Sequence, residues 1–199
     1  TFTTAISQAS DAIDANSPVA ITSVSIPDAA LAVGSSATVT IVAGEAGLSL
    51  NTGTVNGVAV TGFSDVGGGT YTATYTVIEG GTDIAAGSDI PVNFILEDAA
   101  GNTSATFTTA ISQASDAIDA NSPAVTGMTA TDQTNAIGAV VAITVTYDEA
   151  VTVNTSGGTP TLTLSNGGVA TYASGTGTTD LLFNYTVVDG NADSSDLNV

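Results

Sequence analysis

The first eighteen residues of this chain occur a second time within it. Residues 1–18 read TFTTAISQASDAIDANSP, and residues 106–123 repeat the same letters. Unrelated segments do not match by chance over this length, so the repeat indicates a tandem array of structural units. The 199 residues fit two domains of about 100 residues each. We therefore expect residues 1–18 to be the last strand and linker of a preceding unit, 19–121 a complete unit, and 122–199 a second, divergent unit.

Composition excludes several classes of function. The chain has no Lys, Arg, His or Cys and carries 19 Asp and Glu residues, which gives a formal net charge of -19. It can form neither disulfides nor Lys–Asn isopeptide crosslinks, and it lacks the ligands of typical zinc, copper or haem sites. A serine nucleophile would find no His or Lys as its base. A uniformly negative surface repels nucleic acids and anionic membranes. We therefore expect a protein that is not an enzyme, does not bind nucleic acid and does not insert into a membrane.

Apolar and polar residues alternate along most of the chain, which is the pattern of half-buried β-strands. Residues 70–78 (TYTATYTVI) show this alternation, and Gly-rich turns such as Asn56-Gly57 separate the runs. Short strands at this spacing over about 100 residues favour an immunoglobulin-like sandwich. The sequence thus predicts an all-β protein of tandem immunoglobulin-like β-sandwich modules. The strands expected in the first module are 19–26, 36–44, 47–55, 57–63, 70–78, 89–97 and 103–111.

The second module does not copy the first in sequence, and we expect it to lack its final strand or strands. Asn166-Gly167 is a strong hairpin signal within it. Two explanations of the missing strand stay open. The excerpt has an arbitrary end within a longer protein, or a strand arrives from another molecule by donor-strand exchange, with residues 1–10 as the obvious donor. The strands expected here are 124–131, 138–147, 160–165, 168–173, 181–188 and 197–199.

The linker half of the repeat is the first candidate for chemistry. Carboxylates without cationic partners repel one another, and either salt or bound Ca²⁺, which takes oxygen ligands only, offsets that repulsion. The linker places two carboxylates and an amide within six residues and ends in proline, and it partly resembles the cadherin calcium linker D-x-N-D-N-x-P. Asp and Asn also favour turns for reasons unrelated to metal. The candidate Ca²⁺ ligands are Asp11, Asp14 and Asn16 in the first copy and Asp116, Asp119 and Asn121 in the second.

Loops of the first module carry further carboxylates towards these linkers. In an up-and-down reading of the strands, alternate loops lie at the same end of the module. The loops with Glu45 and with Glu97 and Asp98 then lie near the first linker, and those with Glu79 and Asp83 lie near the second. Calcium bound there would join linker to loop and stiffen the joint between modules. The alternative is that these acidic residues simply solvate loops, and Asp98 also fits a tight turn.

A third candidate lies in the second module. Asp189, Asn191 and Asp193 have the D-x-N-x-D spacing of positions one, three and five of a calcium loop, and Asp196 follows them. The flanking residues read as strands rather than helices, so an EF-hand is not expected. A calcium-binding β-loop and a plain polar loop are the two alternatives.

Three runs give the chain a resemblance to a known family. Residues 77–83 (VIEGGTD), 95–112 (ILEDAAGNTSATFTTAIS) and 159–187 resemble the bacterial Ig-like repeats of giant secreted adhesins of the repeats-in-toxin, biofilm-associated type. The resemblance implies a protein at the bacterial cell surface whose tandem sandwiches form an extender stalk. It also implies Ca²⁺ at the module junctions and ligand binding in other domains near the tip.

Two classes of function therefore stand. The leading one is a structural extender whose stiffness depends on calcium and whose partners are the neighbouring modules of the same chain. The alternative is a subunit of an extracellular filament joined by donor-strand complementation through residues 1–10, or an Ig-like module that itself binds a ligand. A filament subunit predicts that residues 1–10 complete a neighbour's sheet, whereas a binding module predicts an exposed aromatic patch.

Overall fold

The chain folds into β-strands joined by turns and loops in the computed structural model, which describes residues 3–4, 13–112, 117–131 and 134–199. None of these residues is helical, so the described part of the chain offers no helix that could cross a membrane. The chain divides into two compact units, unit one (Thr1–Ser122) and unit two (Pro123–Val199). The prediction of an all-β fold is confirmed.

Unit one consists of two antiparallel sheets that share one core. The first sheet has the strand order β1-β2-β6-β5 and the second has the order β4-β3-β7. Their strands are β1 (Ser23–Ser25), β2 (Ser36–Val42), β3 (Ser49–Val55), β4 (Val58–Ala59), β5 (Thr61–Gly67), β6 (Thr70–Thr76) and β7 (Val92–Glu97).

The alternation seen in the sequence decides which face of each sheet is buried. In β6, Tyr71, Ala73 and Tyr75 are buried while the intervening Thr side chains are half-exposed. Phe94 of the second sheet is fully buried in the same cluster. Two sheets that bury their inner faces against each other in this way form a β-sandwich arrangement.

The order of the strands differs from the up-and-down reading. β2 pairs with β6 rather than with its successor β3, because β3 lies in the other sheet. The expected strand 57–63 is divided for a related reason, since β4 pairs with β3 whereas β5 pairs with β6. The chain thus changes sheets between these two strands, which lets both layers cover the core.

The expected strand 103–111 joins the second sheet through isolated bridges only. Thr103, Phe107 and Ile111 pair with residues of β7 and of the segment before it. Ile111 is buried and Phe107 is half-buried against the core, so this stretch closes the sandwich without a continuous ladder. The corresponding first copy, residues 1–10, lies outside the described residues except for Thr3 and Thr4, both exposed.

The linker after this stretch completes the core of unit one. Ile118 forms a parallel bridge with Leu31 and an antiparallel bridge with Ile84, and it exchanges hydrogen bonds of 2.9 Å in both directions with Ile84. Ile118 is 2% exposed and Ala120 is 1% exposed. The same isoleucine in the first copy, Ile13, is 81% exposed. Identical sequence therefore has opposite burial in the two copies.

Unit two forms one five-stranded antiparallel sheet. Its strands are β8 (Val125–Ala130), β9 (Val140–Val151), β10 (Thr161–Thr163), β11 (Val169–Ser174) and β12 (Thr178–Thr186), in the order β10-β11-β12-β9-β8. Residues of alternate positions in β9 and β12 form its core with Leu164 and Ala170. The expected strand 197–199 is not a strand, although Asn198 exchanges hydrogen bonds with Ser165.

The two units repeat several local contacts despite their different sequences. Gly34 donates to the carbonyl of Val77, and Gly138 donates in the same way to Val187. The Asn-Gly turns also correspond, because Asn56 is hydrogen-bonded to Tyr75 in unit one and Asn166 donates to the Tyr185 hydroxyl in unit two. These contacts align Glu79-Gly80-Gly81-Thr82-Asp83 with Asp189-Gly190-Asn191-Ala192-Asp193.

Ile118 and Ile13 provide a matched test of this fold. Ile118→Ala should lower the free energy of unfolding of unit one by about 2–5 kcal/mol, because a buried side chain is truncated. Ile13→Ala should change it by less than about 0.5 kcal/mol, as expected for an exposed site. Hydrogen exchange of the β2 and β6 amides, measured at increasing denaturant concentration, reports on the unfolding of unit one alone. Equal effects of the two substitutions would contradict the difference in burial.

Candidate functional site

Several carboxylates in the described part of the chain accept hydrogen bonds from backbone N–H groups. The chain has no Lys, Arg or His, so an ionised carboxylate can be paired only with a neutral donor or with an ion from solution. A hydrogen bond to a charged acceptor is stronger than one between neutral groups. The carboxylates that use this pairing are concentrated on the two linkers and on the loops beside them.

The second linker is held by two carboxylates of the loop after β6. Glu79 accepts from the backbone N–H of Ser122 at 2.9 Å and from its hydroxyl at 2.6 Å. Asp83 accepts from the backbone N–H of Ala120 and from the side-chain amide of Asn121, both at 2.8 Å. We call these four contacts the linker clasp. They fix three consecutive linker residues to unit one.

Glycine permits the close approach on which the clasp depends. A Cβ atom at Gly81 would lie 3.1 Å from the Cβ of Ala120. The N–H of the adjacent Gly80 donates to the Ala120 carbonyl at 2.9 Å. The loop and linker backbones can therefore pack directly against each other.

The first linker contacts a different set of loops. Glu45 accepts from the backbone N–H of Val19 at 2.8 Å, directly after the linker's proline. Asn102 donates to the carbonyl of Asp14 at 3.4 Å and to the Asp98 carboxylate at 3.0 Å. The structure thus brings Glu45 to the residue after the first linker, whereas Asp98 reaches this linker only through the Asn102 side chain.

The loop that carries Glu45 is itself held by buried and acidic groups. The Tyr71 hydroxyl donates to the Glu45 carbonyl at 2.6 Å and accepts from Leu48. Asp65 accepts from the backbone of Gly47 at 2.9 Å. A Cβ at Gly69 would lie 2.4 Å from the Glu45 nitrogen, so only glycine fits there.

Glu97 lies on the same side of the core but does not contact the linker in the described residues. Its carboxylate accepts from the side-chain amide of Asn51 at 2.7 Å. Asp98 accepts from the backbone of Ala100 and Asn102, both at 2.9 Å, which forms the tight turn that the sequence suggests. Both acidic residues therefore have structural roles in this loop.

Unit two repeats the contact between the residue after proline and a carboxylate. Asp148 accepts from the backbone N–H of Ala124 at 2.8 Å, as Glu45 does from Val19. Ala124 and Val19 occupy the same position relative to the repeated segment. Sequence reasoning missed Asp148. The signal was available, since Asp148 follows Ala124 by nearly the same number of residues as Glu45 follows Val19.

The two linkers also form the same local turn. The side chain of Asp14 accepts from the backbone of Asn16 at 3.0 Å, and Asp119 accepts from Asn121 at 3.3 Å. Such turns are the ordinary use of Asp two residues before its donor. The structure therefore assigns one carboxylate oxygen of each linker to a turn, whatever else the linker binds.

In the loop predicted as a calcium site in unit two, one of the four predicted ligands points inward and the other three are exposed. Asn191 points inward, because its side-chain oxygen accepts from the Tyr185 hydroxyl at 2.7 Å. Asp189, Asp193 and Asp196 are exposed. The backbone of Asp196 is bound locally to Ser194.

No three carboxylates of the described residues lie together in a group that could hold a metal ion. Calcium also takes amide and backbone carbonyl oxygens, so this finding does not test the predicted sites. Asp11 and Asp116, the first predicted ligand of each linker, lie outside the described residues. Calcium binding therefore stays a prediction.

Hydrogen bonding lowers the pKa of three carboxyl groups in unit one. The Ser122 hydroxyl and backbone hold the pKa of Glu79 below its ordinary value. The Asn102 side chain lowers the pKa of Asp98, and the Gly47 and Gly67 backbone groups lower that of Asp65. In each case the donors favour the charged form.

The lowered pKa of Glu79 predicts a pH dependence of the clasp. Because the pKa of Glu79 is lowered in the folded state, its ionised carboxylate stabilises the clasp fully above the ordinary glutamate pKa of about 4.3. This stabilisation is lost as the pH falls through the lower pKa of the folded state. The difference in exchange rate of the Ser122 amide between wild type and Glu79→Gln should therefore be constant from about pH 7 to 5. It should shrink below about pH 4. A difference that persists at lower pH would contradict the assignment.

Comparison with protein-family models, with curated proteins and with solved structures finds no match to this chain. Neither a family nor a function is therefore transferred from a relative. The linker and the carboxylates that bind it are the features from which a function is inferred.

Proposed function

We propose that the chain is a piece of a structural spacer, in which tandem β-sandwich units are joined by linkers that carboxylates hold in place. The observation that carries this proposal is the linker clasp. A flexible linker would leave its backbone solvated, whereas residues Ala120 to Ser122 are bound one after another by Asp83 and Glu79. Ordering a linker restricts how its units can move.

The topology of unit one supports an Ig-like module. Its sheets β1-β2-β6-β5 and β4-β3-β7, with residues 103–111 beside β7, correspond to the strand orders A-B-E-D and C′-C-F-G of an immunoglobulin-like sandwich. Modules of this kind can follow one another in tandem, as the repeated segment suggests.

The contacts after each proline support the same function. Glu45 binds Val19 and Asp148 binds Ala124, so a carboxylate fixes the residue that follows the proline of each linker. Each linker is therefore followed directly by a bound residue, and the second linker also has bound residues within it. The proposed setting is an adhesin-type stalk on a bacterial cell surface, which fits a strongly acidic chain without cysteine. Module boundaries near residues 18 and 121 remain part of this proposal.

The clasp can be tested with a double substitution. In Glu79→Ala/Asp83→Ala, the amides of Ala120 and Ser122 should exchange roughly ten-fold faster, because their acceptors are removed while the core is untouched. Small-angle scattering should show a wider distribution of distances between the units. Asp89→Ala is the matched control, since Asp89 is an exposed acid nearby that makes no contact in the clasp.

Unchanged linker exchange in the double variant would contradict the spacer mechanism. Faster exchange with an unchanged scattering profile would show that the clasp orders the linker without restraining the units. That result would also be inconsistent with a semi-rigid spacer.

Calcium is a separate part of the proposal. The 19 carboxylates without cationic side chains motivate it, because an ion that binds only the folded state stabilises that state by mass action. The melting temperature should rise with Ca²⁺ and fall with a chelator. NaCl at the same ionic strength is the control for screening. Equal melting temperatures in Ca²⁺ and chelator would remove calcium from the proposal and leave the clasp unaffected.

A further inference from the structure

The central strand pair of unit one defines two ends of its first sheet. β2 and β6 are antiparallel, with Val42 opposite Thr70 at one end and Ser36 opposite Thr76 at the other. The loop after β2 leaves from the first end, which we call the entry end, and the loop after β6 leaves from the second, which we call the exit end. Each strand has 7 residues, so at about 3.4 Å per residue the two ends lie about 20 Å apart.

The chain comes into unit one at the entry end and leaves it at the exit end. Glu45, in the loop after β2, accepts from the backbone N–H of Val19 at 2.8 Å. Glu79, in the loop after β6, accepts from the backbone N–H of Ser122 at 2.9 Å. Tension applied through the two linkers therefore acts along the strands of unit one rather than across them.

The segment that leaves unit one runs parallel to a segment near its beginning. Leu31 donates to the Ala117 carbonyl at 2.9 Å and accepts from the Asp119 N–H at 2.8 Å. These two bonds make the parallel bridge between Leu31 and Ile118. In a parallel pair, tension pulls the earlier segment towards the entry end and the later segment towards the exit end. The two segments are therefore sheared past each other, and their hydrogen bonds resist together rather than one after another.

The other side of the same segment is bound as well. Ile84 exchanges two hydrogen bonds of 2.9 Å with Ile118, and the Gly80 N–H donates to the Ala120 carbonyl at 2.9 Å. The clasp continues this row, because Asp83 accepts from the N–H of Ala120 at 2.8 Å. Hydrogen bonds with an ionised acceptor are stronger than those between neutral groups. The departing segment is thus attached to unit one on two sides.

Burial of side chains adds to this attachment. Ile118 and Ala120 are buried in the core cluster of unit one, so displacement of the segment exposes apolar surface to water. A pull on Ser122 also reaches residues 103–111 only after the segment between them has been released. The bonds of this segment therefore resist the pull before the pairing of residues 103–111 with the second sheet does.

From this arrangement we infer that residues 117–122, together with Leu31 and the loop 79–84, bear mechanical load and set the force at which unit one yields to tension. We call this element the shear clamp. The inference rests on the proposed spacer function, because a spacer transmits tension between the parts that it joins. It gives the clasp a further function, since the carboxylates that order the linker also resist its extraction.

The entry end of unit one has a shorter attachment. β1 has 3 residues and lies at the edge of the first sheet, where it pairs with β2. Under tension β1 should detach first, and the load then reaches Leu31. Release of residues 19–30 lengthens the chain by at most about 40 Å. A small extension of this size should therefore precede the main unfolding step.

The test is single-molecule force spectroscopy of the full chain in two pulling directions. The chain has no cysteine, so handles can be attached to introduced pairs at exposed positions. Ser17→Cys/Ala124→Cys loads the shear clamp along the chain. In Ala32→Cys/Ala124→Cys, both handles follow the same end of the parallel pair, so its bonds break one at a time. Because forced unfolding is governed by the unfolding rate, unit one should yield at a force about two-fold higher or more in the first direction.

The clasp carboxylates are tested in the first direction. At constant force, Glu79→Ala/Asp83→Ala should yield about ten-fold faster or more, because hydrogen bonds to charged acceptors are lost from the sheared row. Asp89→Ala is the matched control and should yield at the wild-type rate. Val55→Ala truncates a buried side chain of β3 outside the shear clamp. It should lower the stability of unit one but keep the difference between the two pulling directions.

Equal forces in the two directions would overturn the inference, and so would a double variant that yields at the wild-type rate. The comparison of directions needs no destabilising substitution, so it is decisive even if the double variant folds poorly. Failure of the shear clamp is distinguishable from failure of the spacer proposal. Slow exchange of the linker amides together with equal forces would remove the shear clamp and leave the ordered linker intact, whereas fast exchange in the wild type would contradict the clasp without any applied force.

Discussion

The hydrogen bond from a backbone N–H group to a carboxylate is the interaction on which this structure depends. A chain with 19 acidic residues and no cationic side chain cannot form salt bridges between side chains. Glu45, Glu79, Asp83 and Asp148 instead accept from backbone groups of the linkers or of the residues that follow them. These carboxylates therefore hold in place the polypeptide that joins the two units.

The linker is a continuation of the sandwich rather than a tether attached to it. Ile118 and Ala120 are buried in the core cluster of unit one, and the clasp begins at Ala120 itself. Unfolding the linker therefore exposes part of the core, and loosening the core releases the linker. This coupling links the stability of the unit to the order of the segment that leads out of it.

Sequence periodicity predicted the all-β fold and most strands, because alternation along a strand reports directly on which face is buried. The alternation around Tyr71 and Tyr75 is an example. Periodicity did not predict the order of the strands or the change of sheet between β4 and β5, because strands that pair across a long stretch of sequence leave no local signal. The acidic loops were recognised, but their donors were not. Calcium was the natural partner to infer from composition, whereas the N–H groups of Ala120, Ser122 and Ala124 become visible only when the chain is folded.

The sequence by itself determined that the chain is β-rich, acidic and repetitive, because these properties follow from residue types and their spacing. Only the tertiary structure decided which copy of the repeat is buried. Ile13 and Ile118 lie in the same eighteen-residue sequence, yet one is exposed and the other is buried. The physical reason is that burial depends on the surfaces that surround a segment, and only the second copy lies between the loops of Leu31 and Ile84.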